Sequence, residues 1–207
     1  MTLVKICGIT NLDDALAAVD AGADAVGFNF YRRSPRYITP EAAQAISEHL
    51  PAKVMTVGVF VNEELDAVEK TASTARLSAL QLHGTESREY CNALKDRYVI
   101  KVFATGDEFK PEIVLDYGVQ AVMLDAFDKD RFGGTGNLSN WSVARQTREL
   151  FPKLFLAGGL SPENVAEAID RVDPYAVDAC SSIERAPGLK DHVRMHAFIT
   201  AVRGATG

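Results

Sequence analysis

The stretch LVKICGITNLDDALAAVDAGADAVGFNF, residues 3–30, carries the pattern that decides the fold. It opens on a short apolar run, Leu3–Cys7, that reads as a strand. Asn11 follows, a residue type whose side chain accepts the unpaired amides of a first helical turn, and residues 11–21 read as a helix. The stretch closes on a second apolar run, residues 23–30. Strand, helix and strand joined without a linker form the unit that lays parallel strands side by side.

The same alternation continues to the end of the chain. Residues 53–60, 77–84, 98–104, 120–126, 153–159 and 175–180 read as further strands. Helices are expected over residues 39–50, with Thr39 at the cap and Pro40 in the first turn, and over 63–74 and 87–94. Further helices are expected over Pro111–Tyr117, over 140–150 behind an Asn140 cap, and over 161–170 and 190–203. The strand cores are rich in Val, Ile, Leu and Phe, as strands buried on both faces require. A doubly wound open sheet satisfies this alternation too. The count of eight units, with no linker or low-complexity segment between them, favours one domain over residues 1–207. That domain is expected to be a closed α/β structure, a (β/α)8 or TIM barrel, small for a class of about 250 residues.

Of the 207 residues, 47% are hydrophobic and 24% charged, an ordinary globular balance. Lys and Arg number 22 against 28 Asp and Glu, a net charge of −6, and no basic cluster offsets it locally. Nucleic acid is therefore not an expected partner. Three cysteines, an odd number without Cys-x-x-Cys spacing, suggest neither a disulfide framework nor a zinc site, and they fit a reducing compartment. No apolar run reaches the roughly 18 residues that a membrane span needs, and the first residues lack the basic and apolar regions of a signal peptide. The expectation is a cytoplasmic protein without a membrane partner.

Strand parity sorts the polar residues, because alternate side chains face opposite sides. In the first strand Lys5 and Cys7 share a face opposite Val4 and Ile6. Gln81 pairs with His83, Met123 with Asp125, and Ala176 with Asp178. The polar member stands near the C-terminal end each time. If these faces point inward, Lys5, Cys7, His83, Asp125 and Asp178 converge at the barrel mouth where enzymes of this class keep their chemistry. Taken singly, each has a structural explanation. A cysteine packs as a small hydrophobe, a strand-end Asp caps the next turn, and a His beside Gly84 forms structural hydrogen bonds. Lys5 is harder to explain away, since a buried lysine costs free energy unless it is paired.

Two loops carry anion signals. Gly158-Gly159 after the seventh strand and Ser181-Ser182 after the eighth occupy the positions where barrel enzymes often bind phosphate through backbone amides. The glycines would let the backbone approach an anion closely, or simply turn the chain. Arg36, in SPRYITP after the second strand, is a candidate carboxylate clamp or a solvated loop arginine. The loop FGGTGN, residues 132–137, lacks the Gly-Lys-Ser/Thr ending of a Walker loop and reads as a lid or as plain surface.

Across its whole length the chain resembles the phosphoribosylanthranilate isomerase family of tryptophan biosynthesis. The resemblance is carried in order by KICGIT, GADAVGFNF, SPRYI, VGVF, LQLHG, the Asp of MLDA, GGTG, LAGGLSPENV and SSIERAPGLKD. It implies a (β/α)8 barrel that uses no cofactor and no metal, and whose partner is a small phosphosugar–anthranilate substrate. The reaction implied is an Amadori rearrangement of the aminoaldose to an open-chain ketose. The resemblance makes Cys7 the general base and Asp125 the general acid, and gives Arg36 the anthranilate carboxylate. It places Asp178 near the sugar hydroxyls and Gly159, Ser181 and Ser182 at the phosphate. Lys5 and His83 join the substrate-binding candidates and Gly158 the phosphate candidates. Monomer and homodimer both remain open. The chain departs from the family at Cys180-Ser181-Ser182, where members often read Ser-Ser-Gly or Asn-Ser-Ala. It departs again at Asn137 and at Ser139-Asn140, where many carry Lys and Phe-Asp.

The chemistry suits these residue types: an acid opens the furanose ring and a base removes the sugar C2 proton. Cys7 must be a thiolate to act as base, against an ordinary thiol pKa of about 8.5, and Lys5 on the same face is the local cation that favours it. A histidine-pathway isomerase would be expected to carry Asp at the first strand end, and indole-glycerol-phosphate synthase more Lys and Glu. A phosphosugar-binding barrel without catalysis would not need Cys7 and Asp125.

Overall fold

In a computed structural model that describes residues 1–106, 108–126 and 140–205, each expected strand pairs in parallel with its sequence neighbour. The strands are β1 (Leu3–Cys7), β2 (Ala25–Asn29), β3 (Met55–Phe60), β4 (Ala79–Leu82), β5 (Tyr98–Thr105), β6 (Ala121–Ala126), β7 (Leu154–Leu156) and β8 (Ala176–Ala179). β8 returns to β1 with Lys5 in register with Asp178, so the sheet closes into a (β/α)8 barrel. The open-sheet alternative is thereby excluded.

The helices stand where the capping residues place them. They are α1 (Leu12–Asp20), α2 (Pro40–Ser47), α3 (Leu65–Thr74), α4 (Arg88–Ala93), α5 (Trp141–Leu150), α6 (Val165–Val172) and α7 (His192–Ala205), with a 3₁₀ segment at Pro111–Tyr117. Asn11 accepts the Asp14 amide at 2.8 Å, Thr39 the Ala42 amide at 3.2 Å, and Asn140 the amides of Ser142 and Val143. Two expectations shift. The helix expected from residue 161 begins only at Val165, because Asn164 accepts the Ser161 amide and closes a turn instead. The helix expected from residue 190 begins at His192. Before it β9 (Glu184–Ala186) and β10 (Leu189–Lys190) form an antiparallel hairpin beside the mouth.

Two apolar layers hold the barrel. Outward-facing Val4, Ile6, Val26, Phe28, Leu80 and Leu82 pack against the helices. Inside, Ala25, Val57, Ala79, Ile100, Ala121, Met123, Phe155 and Ala176 fill the centre. Alanine dominates there because the side chains of eight strands meet in a narrow space, and the packed centre closes the barrel below the mouth.

One outward polar side chain needs its own partner. Lys101 of β5 is buried, and its Nζ donates to Glu86 Oε2 at 2.8 Å and to the Gly84 carbonyl at 2.8 Å. Glu86 in turn accepts the amides of Asn62 and Gly84, which ties the loops after β3 and β4 together. Removing one partner of a buried pair strands the other charge. Glu86→Ala is therefore expected to lower stability by about 3–5 kcal/mol in urea unfolding; a loss within error of zero would show that this pair does not hold the loops.

Candidate active site

At the C-terminal mouth of the barrel lies a cavity of about 540 Å³. Cys7, Arg36, His83, Asp125, Gly158, Gly159, Asp178, Ser181 and Ser182 all line it, as do Gln81 and Cys180. Lys5 does not. Its side chain is fully buried beneath the floor, where Nζ donates to Asp178 Oδ1 at 2.8 Å. Its contacts there are with Asp178 and Cys7. The parity that brought Lys5 inward was right, but one strand repeat further down places it below the ligand space. Gly27 on β2 makes this possible: a Cβ there would stand 2.9 Å from Cys7 Sγ and 3.1 Å from Lys5 Nζ.

The floor is an electrostatic cluster in which one cation serves two anions. Burial opposes the Lys5 charge, but Asp178 and Cys7 outweigh it and raise its pKa. Burial pushes Asp178 up to about 7 against the pull of Lys5, with the neighbouring Cys7 adding to the rise. Cys7 moves the other way, well below an ordinary thiol. A hydrogen bond from Cys180 and the charge of Lys5 together overcome its burial. Cys180, the donor of that bond, moves up.

Across the cavity, Gln81 Nε2 lies 3.3 Å from His83 Nδ1. The other ring nitrogen, Nε2, faces Asp125. That nitrogen is 3.3 Å from Asp125 Oδ2, so His83 anchors one oxygen of the carboxyl. Gln81 Oε1 is buried with no hydrogen-bond partner among the described residues.

Arg36 is held rather than solvated. Its Nε donates to Glu184 Oε1 at 2.9 Å and its Nη2 to Oε2 at 2.7 Å. Burial opposes the guanidinium charge, yet the bonds to Glu184 raise its pKa further. Lys190 Nζ, also buried, donates to Glu184 Oε1 at 2.9 Å and to the Cys180 carbonyl at 3.2 Å. The hairpin β9–β10 thus braces the arginine from behind. Gly158 and Gly159 take φ of 85° and 68°, a left-handed pair that glycine adopts without strain. They face the turn of Ser181 and Ser182, whose Ser182 hydroxyl donates to the Leu160 carbonyl. Among the described residues, no group of three His, Cys, Asp or Glu could hold a metal ion, and no helix is long and apolar enough to cross a membrane. The 132–137 loop and Ser139 lie outside the described residues.

Sequence reading missed Glu184, Lys190, Gln81 and the Lys101–Glu86 pair. Parity had already placed Gln81 on the His83 face, and a lysine within the apolar run YVIKVFA signals a buried partner. Nothing local marks Glu184, because its role exists only once Arg36 folds back against it.

Fold and site together define a (β/α)8 barrel with a thiol, a carboxyl and a braced arginine around one cavity at its C-terminal mouth. The chain belongs to the N-(5'-phosphoribosyl)anthranilate (PRA) isomerase family, whose model matches residues 4–201. It is 48% identical to the N-(5'-phosphoribosyl)anthranilate isomerase of Geotalea uraniireducens over 99% of this chain and 100% of that one. The crystal structure of phosphoribosyl anthranilate isomerase from Thermotoga maritima superposes with a TM-score of 0.92 at 47% identity, covering 99% of this chain and all of that one. A phosphoribosyl anthranilate isomerase solved in complex with reduced 1-(o-carboxyphenylamino)-1-deoxyribulose 5-phosphate gives 0.88 at 47% identity and the same coverage.

The lowered pKa of Cys7 has a direct readout. Alkylation by iodoacetamide, followed by peptide mass mapping against pH, is expected to reach its plateau at Cys7 below the free-thiol value of about 8.5. Cys91, which burial pushes up to about 11, stays unmodified in the folded protein over that range. In Cys180→Ala the Cys7 inflection moves to higher pH, and an unmoved inflection would remove Cys180 as the source of the shift.

Proposed function

We propose that this cavity isomerises N-(5'-phosphoribosyl)anthranilate to 1-(o-carboxyphenylamino)-1-deoxyribulose 5-phosphate, a step of tryptophan biosynthesis, with Cys7 as proton acceptor and Asp125 as proton donor. The activity follows from family membership. The single observation that supports the residue roles is that Cys7 and Asp125, on different strands, line one cavity. The thiol is tuned toward its anion beside a buried cation, and one oxygen of the carboxyl lies 3.3 Å from His83 Nε2.

The reaction runs in two proton transfers. Asp125 protonates the furanose ring oxygen while the anthranilate nitrogen lone pair forms a C=N bond to C1, so the C1–O bond breaks and the ring opens. The Cys7 thiolate then removes the C2 proton. Those electrons become a C1=C2 bond, and the pair of the C=N bond returns to nitrogen. Tautomerisation of the resulting enolamine, with a proton delivered to C1 and one lost from the C2 hydroxyl, gives the ketone. Each transfer by a placed group contributes about 10²–10⁴-fold, and holding both ends of the substrate supplies much of the remainder.

The ends are held by residues already in place. Glu184 occupies Nε and Nη2 of Arg36, which leaves Nη1 for the anthranilate carboxylate. Gly158, Gly159, Ser181 and Ser182 suit the phosphate, and Asp178 the sugar hydroxyls. Lys5 acts through Asp178 and Cys7 instead of touching substrate.

Substrate generated in situ and followed by loss of its fluorescence tests the reading. Cys7→Ala, Cys7→Ser and Asp125→Asn are each expected to lower kcat by about 10²–10⁴-fold with a smaller change in KM. Near-native kcat at saturating substrate in either position would remove that residue from the chemistry.

A further inference from the structure

The departure at position 180 puts a second sulfur beside the first. β1 and β8 are parallel neighbours with Ile6 in register with Ala179, so Cys7 and Cys180 are the next residues across from one another. Both side chains fall on the inner face and both line the cavity. Each thiol also acts on the other's titration, Cys7 being lowered and Cys180 raised. The strands cannot drift apart here, because the Lys5–Asp178 pair clamps them two residues below and Lys190 holds the Cys180 carbonyl. Paired residues on adjacent strands fall within the 4.4–6.8 Å between Cα atoms that a disulfide spans. The third cysteine, Cys91, is buried on α4 in the outer layer, away from this cavity.

We propose that Cys7 and Cys180 form a dithiol site for hydrogen peroxide, in which oxidation joins them in a reversible disulfide. The Cys7 thiolate attacks one peroxide oxygen. The S–O bond forms, the O–O bond breaks, and the leaving hydroxide takes a proton to become water, leaving Cys7 as a sulfenic acid. The Cys180 sulfur then attacks the Cys7 sulfur. The S–S bond forms, the S–O bond breaks, and the departing hydroxide leaves as water with the Cys180 thiol proton. Two thiols and one peroxide thus yield one disulfide and two waters. The peroxide needs a thiolate and access, and Cys7 has both: a lowered pKa, and a position on an open cavity. Cys180, already in contact, traps the sulfenic acid before further oxidation. Loss of isomerase activity on oxidation rests on the reading of Cys7 as base, whereas formation of the bond does not.

The test treats the purified full-length protein with hydrogen peroxide and reads intact mass, a non-reducing peptide map and activity. The expected result is a mass lower by about 2 Da, from two hydrogens lost, with the Cys7 and Cys180 peptides linked. Activity falls with the same time course and returns with dithiothreitol, and Cys91→Ser behaves as the parent. In Cys180→Ser, peroxide instead adds oxygen to Cys7, and dithiothreitol recovers less activity. No linked peptide, or a link through Cys91, overturns the proposal. A Cys7–Cys180 link with activity retained upholds the disulfide and overturns the assignment of Cys7 as base.

Discussion

The ion pair between Lys5 and Asp178 sits at the seam where the eighth strand meets the first, and the mouth of the barrel is organised around it. The two residues are partners in the β1–β8 register as well as in charge, with Nζ 2.8 Å from Oδ1. Taking two charges out of water is costly, and a buried pair often contributes less to stability than apolar residues of the same size would. What this pair supplies is placement. A fully buried cation directly beneath Cys7 fixes where negative charge is tolerated, and Gly27 keeps the space in which ammonium and sulfur approach.

From that point the rest of the site divides into two prepared halves. On the β8–β1 side, burial pushes the Asp178 carboxyl up against the pull of Lys5, while Cys180 and Lys5 bring the Cys7 thiol down. On the β4–β6 side, the chain Gln81–His83–Asp125 anchors the carboxyl. A thiol and a carboxyl that line one cavity of about 540 Å³ are held on strands that cannot shift without breaking the closed ladder. The arginine stands outside this framework on a loop, and its rigidity is borrowed from the β9–β10 hairpin through Glu184 and Lys190.

Much of this was legible beforehand, for reasons that can be named residue by residue. Asn11, Thr39 and Asn140 cap helices because their side chains reach amides two or three residues away, an interaction that needs no tertiary context. Period-two alternation placed Cys7, His83, Asp125 and Asp178 on one face, and barrel closure turned that face inward. The start of α6 and the β9–β10 hairpin were not legible. Asn164 could cap or close a turn with equal local chemistry, and Glu184–Ala186 has no alternating apolar pattern, since Glu184 brings Arg36 and the buried Lys190 together.

The sequence by itself determined the eight-fold alternation, the helix starts and the set of residues that reach the mouth, because each depends on periodicity or on contacts a few residues apart. Only the tertiary structure decided which of those residues touch the ligand space and which support it from below. Lys5 and Cys7 have the same parity, yet one strand repeat separates a fully buried counter-ion from a thiol that lines the cavity. Arg36 and Glu184, 148 residues apart, meet only when the hairpin folds over the mouth. The contact between Cys7 and Cys180, at opposite ends of the chain, exists because the last strand closes on the first. Depth and closure are properties of the whole barrel, and a single strand does not encode them.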